Sequence, residues 1–316
     1  MKKKISVLLL ALAVLLAGCG KTTDTMENRE KLRVVTSFYP MFLLAQAVTE
    51  GAEGVELLNM AQPQTGCLHD YELTISDMKL LEGADVLLIN GGGMESFLTQ
   101  ALERYPELII VDTSAEIELL TVEEHHHHHE GEEAHHGHDH DHTHEGNPHI
   151  WLSPEGAAQQ AEAMALALAE LDAADAALFT ENAEAFHEGA HGLEHKAHQI
   201  GIPEGEFAAV FHEGFDYITD LFHMEKVFGI IADEYQMPSA KELAEAADEA
   251  KGHGIRFFLT AADHGEIYAE TLAAEVDEAV VVLDPLTTAD EAGCSYLERM
   301  EKNIEAIERH WKEAAE

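Results

Sequence analysis

Histidine is the residue this chain uses most unusually: 22 occur in 316 positions, against 18 lysines and arginines together. The densest run opens at His125, His126, His127, His128 and His129 and continues through His135, His136, His138, His140, His142 and His144, spaced by Glu, Asp and Gly. Neutral imidazole is the commonest metal ligand in proteins, and a tract of this composition reads as metal binding. It holds almost no apolar side chains to offset the entropy of ordering it, so it is expected to be a long loop, 123–146, and not part of a core. A purification tag is the bland alternative, but tags sit at termini and this run lies mid-chain. Four further residues have chemistry and a distinctive placement: His69, His149, His212 and Asp284. Three imidazoles and a carboxylate suit a tetrahedrally held borderline cation such as Zn²⁺, whereas Mg²⁺ or Ca²⁺ would call for oxygen donors.

The elements that must position these four alternate between short β-branched runs and helical stretches. In the first half, strands are expected at 32–36, 55–58, 86–89 and 108–111, with helices at 40–49, up to residue 82, and at 95–105. Ser153 and Pro154 begin an Ala-rich helix in the usual manner, a capping residue followed by Pro in the first turn. A second long helical stretch covers 173–199. The second half repeats the alternation, with strands at 207–211, 227–231, 255–259 and 280–283 and helices at 215–222, 239–252, 266–275 and 290–310. This predicts two similar α/β lobes with mainly parallel sheets. The four candidate ligands all lie just beyond carboxyl ends of expected strands, two in each half, where open α/β sheets bind ligands. Singly, each has a plain alternative: a hydrogen-bonded histidine, or an Asp that fixes the turn before Pro285.

The chain opens with three lysines, an apolar run over 5–16 and Ala17-Gly18-Cys19, the pattern of an export signal too short to span a bilayer. Leu16-Ala17-Gly18-Cys19 resembles the bacterial lipobox, in which the cysteine is lipidated and becomes the new N-terminus. A signal at 1–18 and a polar tether at 19–31 are therefore expected, with the protein outside the cell membrane and anchored through Cys19. Net charge is −43, which repels nucleic acid and anionic lipid and concentrates cations.

The motifs His69-Asp70-Tyr71-Glu72, Pro148-His149-Ile150-Trp151-Leu152, Phe211-His212-Glu213-Gly214-Phe215 and Leu283-Asp284-Pro285-Leu286 occur in that order. With the lipobox and the histidine run, they resemble the zinc-binding solute-binding lipoproteins of ABC transporters, the ZnuA-like group of the cluster A-I metal-binding family. The resemblance spans nearly the whole chain after the signal. It implies an N-terminal lobe at 32–172, a long rigid linking helix within 173–200 and a C-terminal lobe at 201–316, with metal held between the lobes. By motif, the ligands are His69, His149, His212 and Asp284. The implied function is capture of Zn²⁺ as transported ligand and delivery to an ABC permease and its ATPase, by a monomer that is no enzyme. Manganese-binding relatives usually carry Glu where His212 stands, so imidazole there favours zinc. The chain departs from the family in having Leu68 in place of the usual Pro, with Cys67 just upstream. Cys67 and Cys294 are candidates for a disulfide between the lobes; two unpaired thiols, or a Cys67 thiolate as an extra ligand, are the alternatives.

Other readings stay open at this stage. A manganese or other divalent-metal binder would share the fold. A zinc hydrolase would need a base, for which Glu213 is the obvious candidate, and no nucleophile elbow or Gly-rich phosphate loop is present. A surface zinc buffer or adhesin would feed no permease. His187, His191, His195 and His198 form a stripe at spacings of four, four and three, read as a solvated helix face on the expectation that no acidic or cysteine partner is placed to complete a site. His223 and His310 are assigned no role.

Overall fold

The computed structural model describes residues 31–61, 68, 71–121, 146–230, 238–262, 265–289 and 292–314. The signal, the lipobox cysteine, most of the tether, Cys67, His69 and all the histidines between His125 and His144 lie outside these. Residues Leu32–Glu316 form one compact unit.

The first half is built from β1 (Leu32–Thr36), α1 (Tyr39–Val48), β2 (Val55–Asn59), α2 (Ile75–Glu82), β3 (Val86–Ile89), α3 (Thr99–Leu102) and β4 (Ile109–Asp112). The helical pair α4 (Pro154–Leu171) and α5 (Ala176–Gln199) follows. The second half contains β5 (Phe207–Val210), α6 (Asp216–Leu221), β6 (Glu225–Gly229), α7 (Ala240–His253), β7 (Phe257–Ala261), α8 (Glu266–Ala274), β8 (Val280–Leu283) and α9 (Tyr296–Glu313). The two sheets have the same topology, β2-β1-β3-β4 and β6-β5-β7-β8, and every pairing is parallel. Such sheets need both faces covered, which explains the near-continuous apolar runs of β3 and β7. In each sheet the chain goes first to one side of a central strand and then to the other. The switch points are therefore at the carboxyl ends of β1 and β3 and of β5 and β7.

The two expected α/β lobes are thus present, with most elements within two residues of their predicted bounds. Two elements differ. The helix expected at 95–105 is a 3₁₀ turn, Ser96–Leu98, followed by the single-turn α3. The Glu95 side chain turns back to bond Ser37, Asn90 and Gly91, and the chain must be extended before Pro106. The last helix starts at Tyr296 and not at 290, because Ser295 and Glu298 form a capping box just after Gly293 takes a positive φ of 68°.

The lobes are not joined by a helix alone; they share a core. One continuous apolar cluster runs from Val34 and Leu44 through Trp151, Met164, Phe179, Phe186 and Leu193 to Val210, Phe257, Tyr296 and Ile304. Smaller clusters fill the outer faces of the two sheets. Helix α5 buries Phe179, Ala183, Phe186, Ala190, Leu193 and Ala197, a stripe at alternating spacings of four and three. The facing helix α4 presents Ala157, Ala158, Ala161 and Ala165, which allow close approach. On the other side, Gly189 admits Leu297 of α9: a Cβ there would meet Leu297 Cδ1 at 2.5 Å. Among the described residues no helix is long and apolar enough to cross a membrane.

A shared core predicts one unfolding event. Trp151 and Trp311 stand in different halves of the chain, and in urea their fluorescence and far-ultraviolet circular dichroism should give coincident transitions. Phe186→Ala should move that single transition down by about 3–5 kcal/mol. Two separated transitions would show that the lobes fold independently.

Candidate metal centre

His149 follows the long connection after β4 and is wholly buried. Asn147 fixes it: Asn147 Oδ1 accepts from His149 N at 3.1 Å and lies 2.8 Å from His149 Nδ1. The Asn147 amide is oriented by its other end, because its Nδ2 donates to the carbonyl of Glu213 at 2.8 Å. An acceptor facing Nδ1 puts the ring proton there and makes Nε2 the lone-pair nitrogen, the form a metal ligand needs.

His212 comes two residues after β5 and caps a 3₁₀ turn, Glu213–Phe215, its Nδ1 accepting from Gly214 N at 3.1 Å. It is 7% exposed, and its ring meets that of His149 edge-on with centroids 5.2 Å apart. The approach depends on Gly214, where a Cβ would meet His149 Cδ2 at 2.9 Å and Leu152 Cδ1 at 2.6 Å. The two rings are in opposite tautomers. A neutral His212 whose Nδ1 accepts carries its proton on Nε2, so ligation through Nε2 requires the ring to turn away from Gly214 N.

Asp284 follows β8 and is held differently. Arg299 donates to both carboxylate oxygens, from Nε at 2.6 Å and Nη2 at 2.7 Å, and Leu286 N donates to Oδ1 at 2.8 Å. Asn303 brackets its backbone, accepting from Asp284 N and donating to Asp284 O, both at 2.8 Å. A carboxylate has about four lone-pair sites, so a bidentate arginine leaves capacity for a cation. Trp151 connects this turn to the first lobe: its Nε1 donates to Pro285 O at 2.9 Å, and its ring lies 5.1 Å from that of His149.

Of the four predicted ligands, His149 and His212 are thus brought together across the lobes, and Asp284 adjoins them through Trp151. His69 lies outside the described residues, next to Leu68, which is 6% exposed and belongs to the shared core. Among the described residues no three His, Cys, Asp or Glu side chains are gathered at one point. Cys294 Sγ lies 3.1 Å from Lys302 Nζ, and Cys67, its expected disulfide partner, lies outside the described residues. Glu213, the residue a hydrolase would need as base, places Oε1 3.6 Å from His149 Nδ1.

Two residues that support this arrangement escape a reading of the sequence. Asn147 stands in the same tripeptide as His149, and its adjacency to a proposed ligand was the available signal. Glu95 sits inside the first lobe at the carboxyl ends of β1 and β3. It accepts from Ser37 Oγ at 2.7 Å, Asn90 N at 2.8 Å and Gly91 N at 3.1 Å. Asn90 in turn donates from Nδ2 to Pro148 O at 2.9 Å, beside His149. Burial raises the Glu95 carboxyl to about 7, against the pull of those three donors.

The family of zinc-uptake complex component A, periplasmic (ZnuA), matches residues 34–310. The fold and the paired histidines define a two-lobed metal-binding protein, and the chain belongs to the ZnuA family. It is 29% identical to the zinc-binding lipoprotein AdcA of Streptococcus pneumoniae over 97% of this chain, and spans only 61% of that relative. It is 27% identical to the high-affinity zinc uptake system protein ZnuA of Bacillus subtilis, over 93% of each chain. A crystal structure of a ZnuA superposes with a TM-score of 0.71 at 23% identity, covering 89% of this chain and 99% of that one. The solute-binding protein FpvC of Pseudomonas aeruginosa in complex with Mn²⁺ gives 0.74 at 22% identity, over 90% and 100%.

Two measurements test the supports. Asn147→Ala, which removes the partner that orients His149, should weaken zinc binding about 10- to 100-fold in a chelator competition without unfolding the protein. Glu95 makes a pH prediction. Its folded value, about 7, is above its ordinary 4.5, so the unfolded chain ionises first and stability falls as pH rises from 4.5 to 7. Glu95→Gln should flatten the urea midpoint over that interval relative to the parent; an unchanged difference across pH would remove the assignment.

Proposed function

We propose that this chain captures Zn²⁺ between its lobes outside the cytoplasmic membrane and hands it to an ABC permease driven by a partner ATPase. The pairing of His149 with His212, one from each lobe and each carried on its family motif, is the observation that supports this reading most. His69 and Asp284 complete the proposed ligand set, and Zn²⁺ is cargo rather than a resident cofactor. The relatives named for zinc point to the same ion, and imidazole at 212 suits it better than a harder cation. The protein acts as a monomer, tethered through a lipid on Cys19, and performs no catalysis.

Capture follows from the geometry. His149 is preset as a donor; His212 must turn, and Asp284 must share its carboxylate with Arg299. The ion supplies the attraction that draws these together, while the shared core keeps lobe movement small. Release then requires the permease to disturb one side of the set. Protons compete for the same nitrogens, so retention should fall as pH drops and imidazole becomes protonated. The histidines at 125–129, 135, 136, 138, 140, 142 and 144 act as a collector that binds more weakly than the cleft, because gathering ligands from a segment poor in apolar side chains costs entropy.

The backbone allows a clean test, because Asn147 N donates to Leu120 O at 2.7 Å and the chain therefore leaves and returns at one point. Protein starting after Cys19, with 122–145 replaced by a short Gly-Ser linker, should keep one tight Zn²⁺ in a competition assay. His212→Ala should abolish or greatly weaken it. Tight binding that vanishes with the histidine segment yet ignores His212→Ala would instead identify a polyhistidine metal buffer.

A further inference from the structure

The histidine stripe on α5 has Glu194 on its own helix and a second acidic partner, Glu162, that the sequence of that helix alone does not reveal. Helices α4 and α5 are joined by four residues, 172–175, and pack along each other, so the start of α4 lies near the end of α5. Glu162 of α4 thereby faces His187, its Oε1 2.6 Å from Nδ1. His187, His191 and Glu194 occupy positions i, i+4 and i+7, which at about 100° per residue fall within about 60° of arc on one side of the helix. Glu194 is half-buried. Burial and the negative charge of Glu155 raise its carboxyl pKa, while His187, His191 and His198 act in the opposite direction.

We propose that His187, His191 and Glu194 form a second, exposed zinc site on the linking helix, with Glu162 as the residue that orients His187. A carboxylate on Nδ1 is the characteristic outer partner of a metal-ligating histidine, since it fixes the proton there and leaves Nε2 as the donor. Two histidines one turn apart with a carboxylate one turn further on are a common helical chelate for a borderline cation, and a water completes four-coordination. A divalent ion placed there also screens Glu194 from Glu155 in a chain whose net charge is −43. His198 lies on the same arc, but it is stacked on His223 with centroids 5.2 Å apart and 12° between planes, so it is not one of the ligands.

The site is not preformed. Among the described residues no three donors meet at one point, and the ion must gather His191, which is exposed, and Glu194. It is therefore weaker and faster to exchange than the cleft. An ordinary surface contact between His187 and Glu162 is the competing description, and exposed pairs of that kind contribute little to stability.

The test uses the protein with the 122–145 replacement, dialysed against Zn²⁺, with Co²⁺ absorption as a second probe. A second equivalent is expected, about 100-fold or more weaker than the first, as an exposed site that the ion must assemble should be. His187→Ala combined with His191→Ala should remove that second equivalent and leave the first unchanged, and Glu162→Gln should weaken it about 10-fold. His195→Ala, on the edge of the stripe, should leave both. A single equivalent, or a second that survives the double substitution, overturns the proposal. Failure of the cleft assignment reads out separately, as a first equivalent that survives His212→Ala.

Discussion

Asn147 carries the contact on which the arrangement of the cleft depends. All of its polar groups are engaged: the backbone N–H with Leu120, the carbonyl with the Tyr217 hydroxyl, the side-chain oxygen with His149 and the side-chain nitrogen with Glu213. The residue is 1% exposed, so each of these bonds replaces one to water that burial has removed. Separating the lobes would leave a buried amide without its acceptor, at a cost of about 1–3 kcal/mol. One side chain thus both sets the tautomer of a proposed ligand and holds together the loops that carry the two histidines.

The shared core reinforces this constraint. The apolar stripe of α5 keeps an average spacing of 3.6 residues over its five steps, from Phe179 to Ala197, and so stays on one face of the helix. It is packed against alanines on α4 and against α9 from the second lobe. Such an interface is bistable at best and resists continuous bending, so movement concentrates in side chains and turns near the cleft. The opposite tautomers of His149 and His212 and the arginine-bound carboxylate of Asp284 are the groups that must rearrange.

The fold was largely open to inspection of the chain, for an identifiable reason. Parallel strands buried on both faces leave short runs such as Val86–Ile89 and Phe257–Ala261, and those signals are local. The placement of His149 and His212 beyond strand ends was also visible, since it follows from the same alternation. What escaped was long-range. Glu95 looks like a helix residue until Ser37, 58 positions away, is seen to bond it. Glu162 and His187 are 25 positions apart on different helices, so a search for partners at helical spacing misses the pair. The Lys302 ammonium beside Cys294 Sγ, eight positions on, is likewise not a partner that the cysteine's own surroundings in the chain single out.

The joined ends at Leu120 and Asn147 carry an implication for engineering. A backbone hydrogen bond holds these two residues side by side, the geometry at which an inserted domain is best accommodated. A fluorescent domain spliced there would be attached beside Asn147, which bonds His149 directly. The same junction that accommodates a histidine-rich segment is therefore a natural splice point for a genetically encoded optical reporter of zinc.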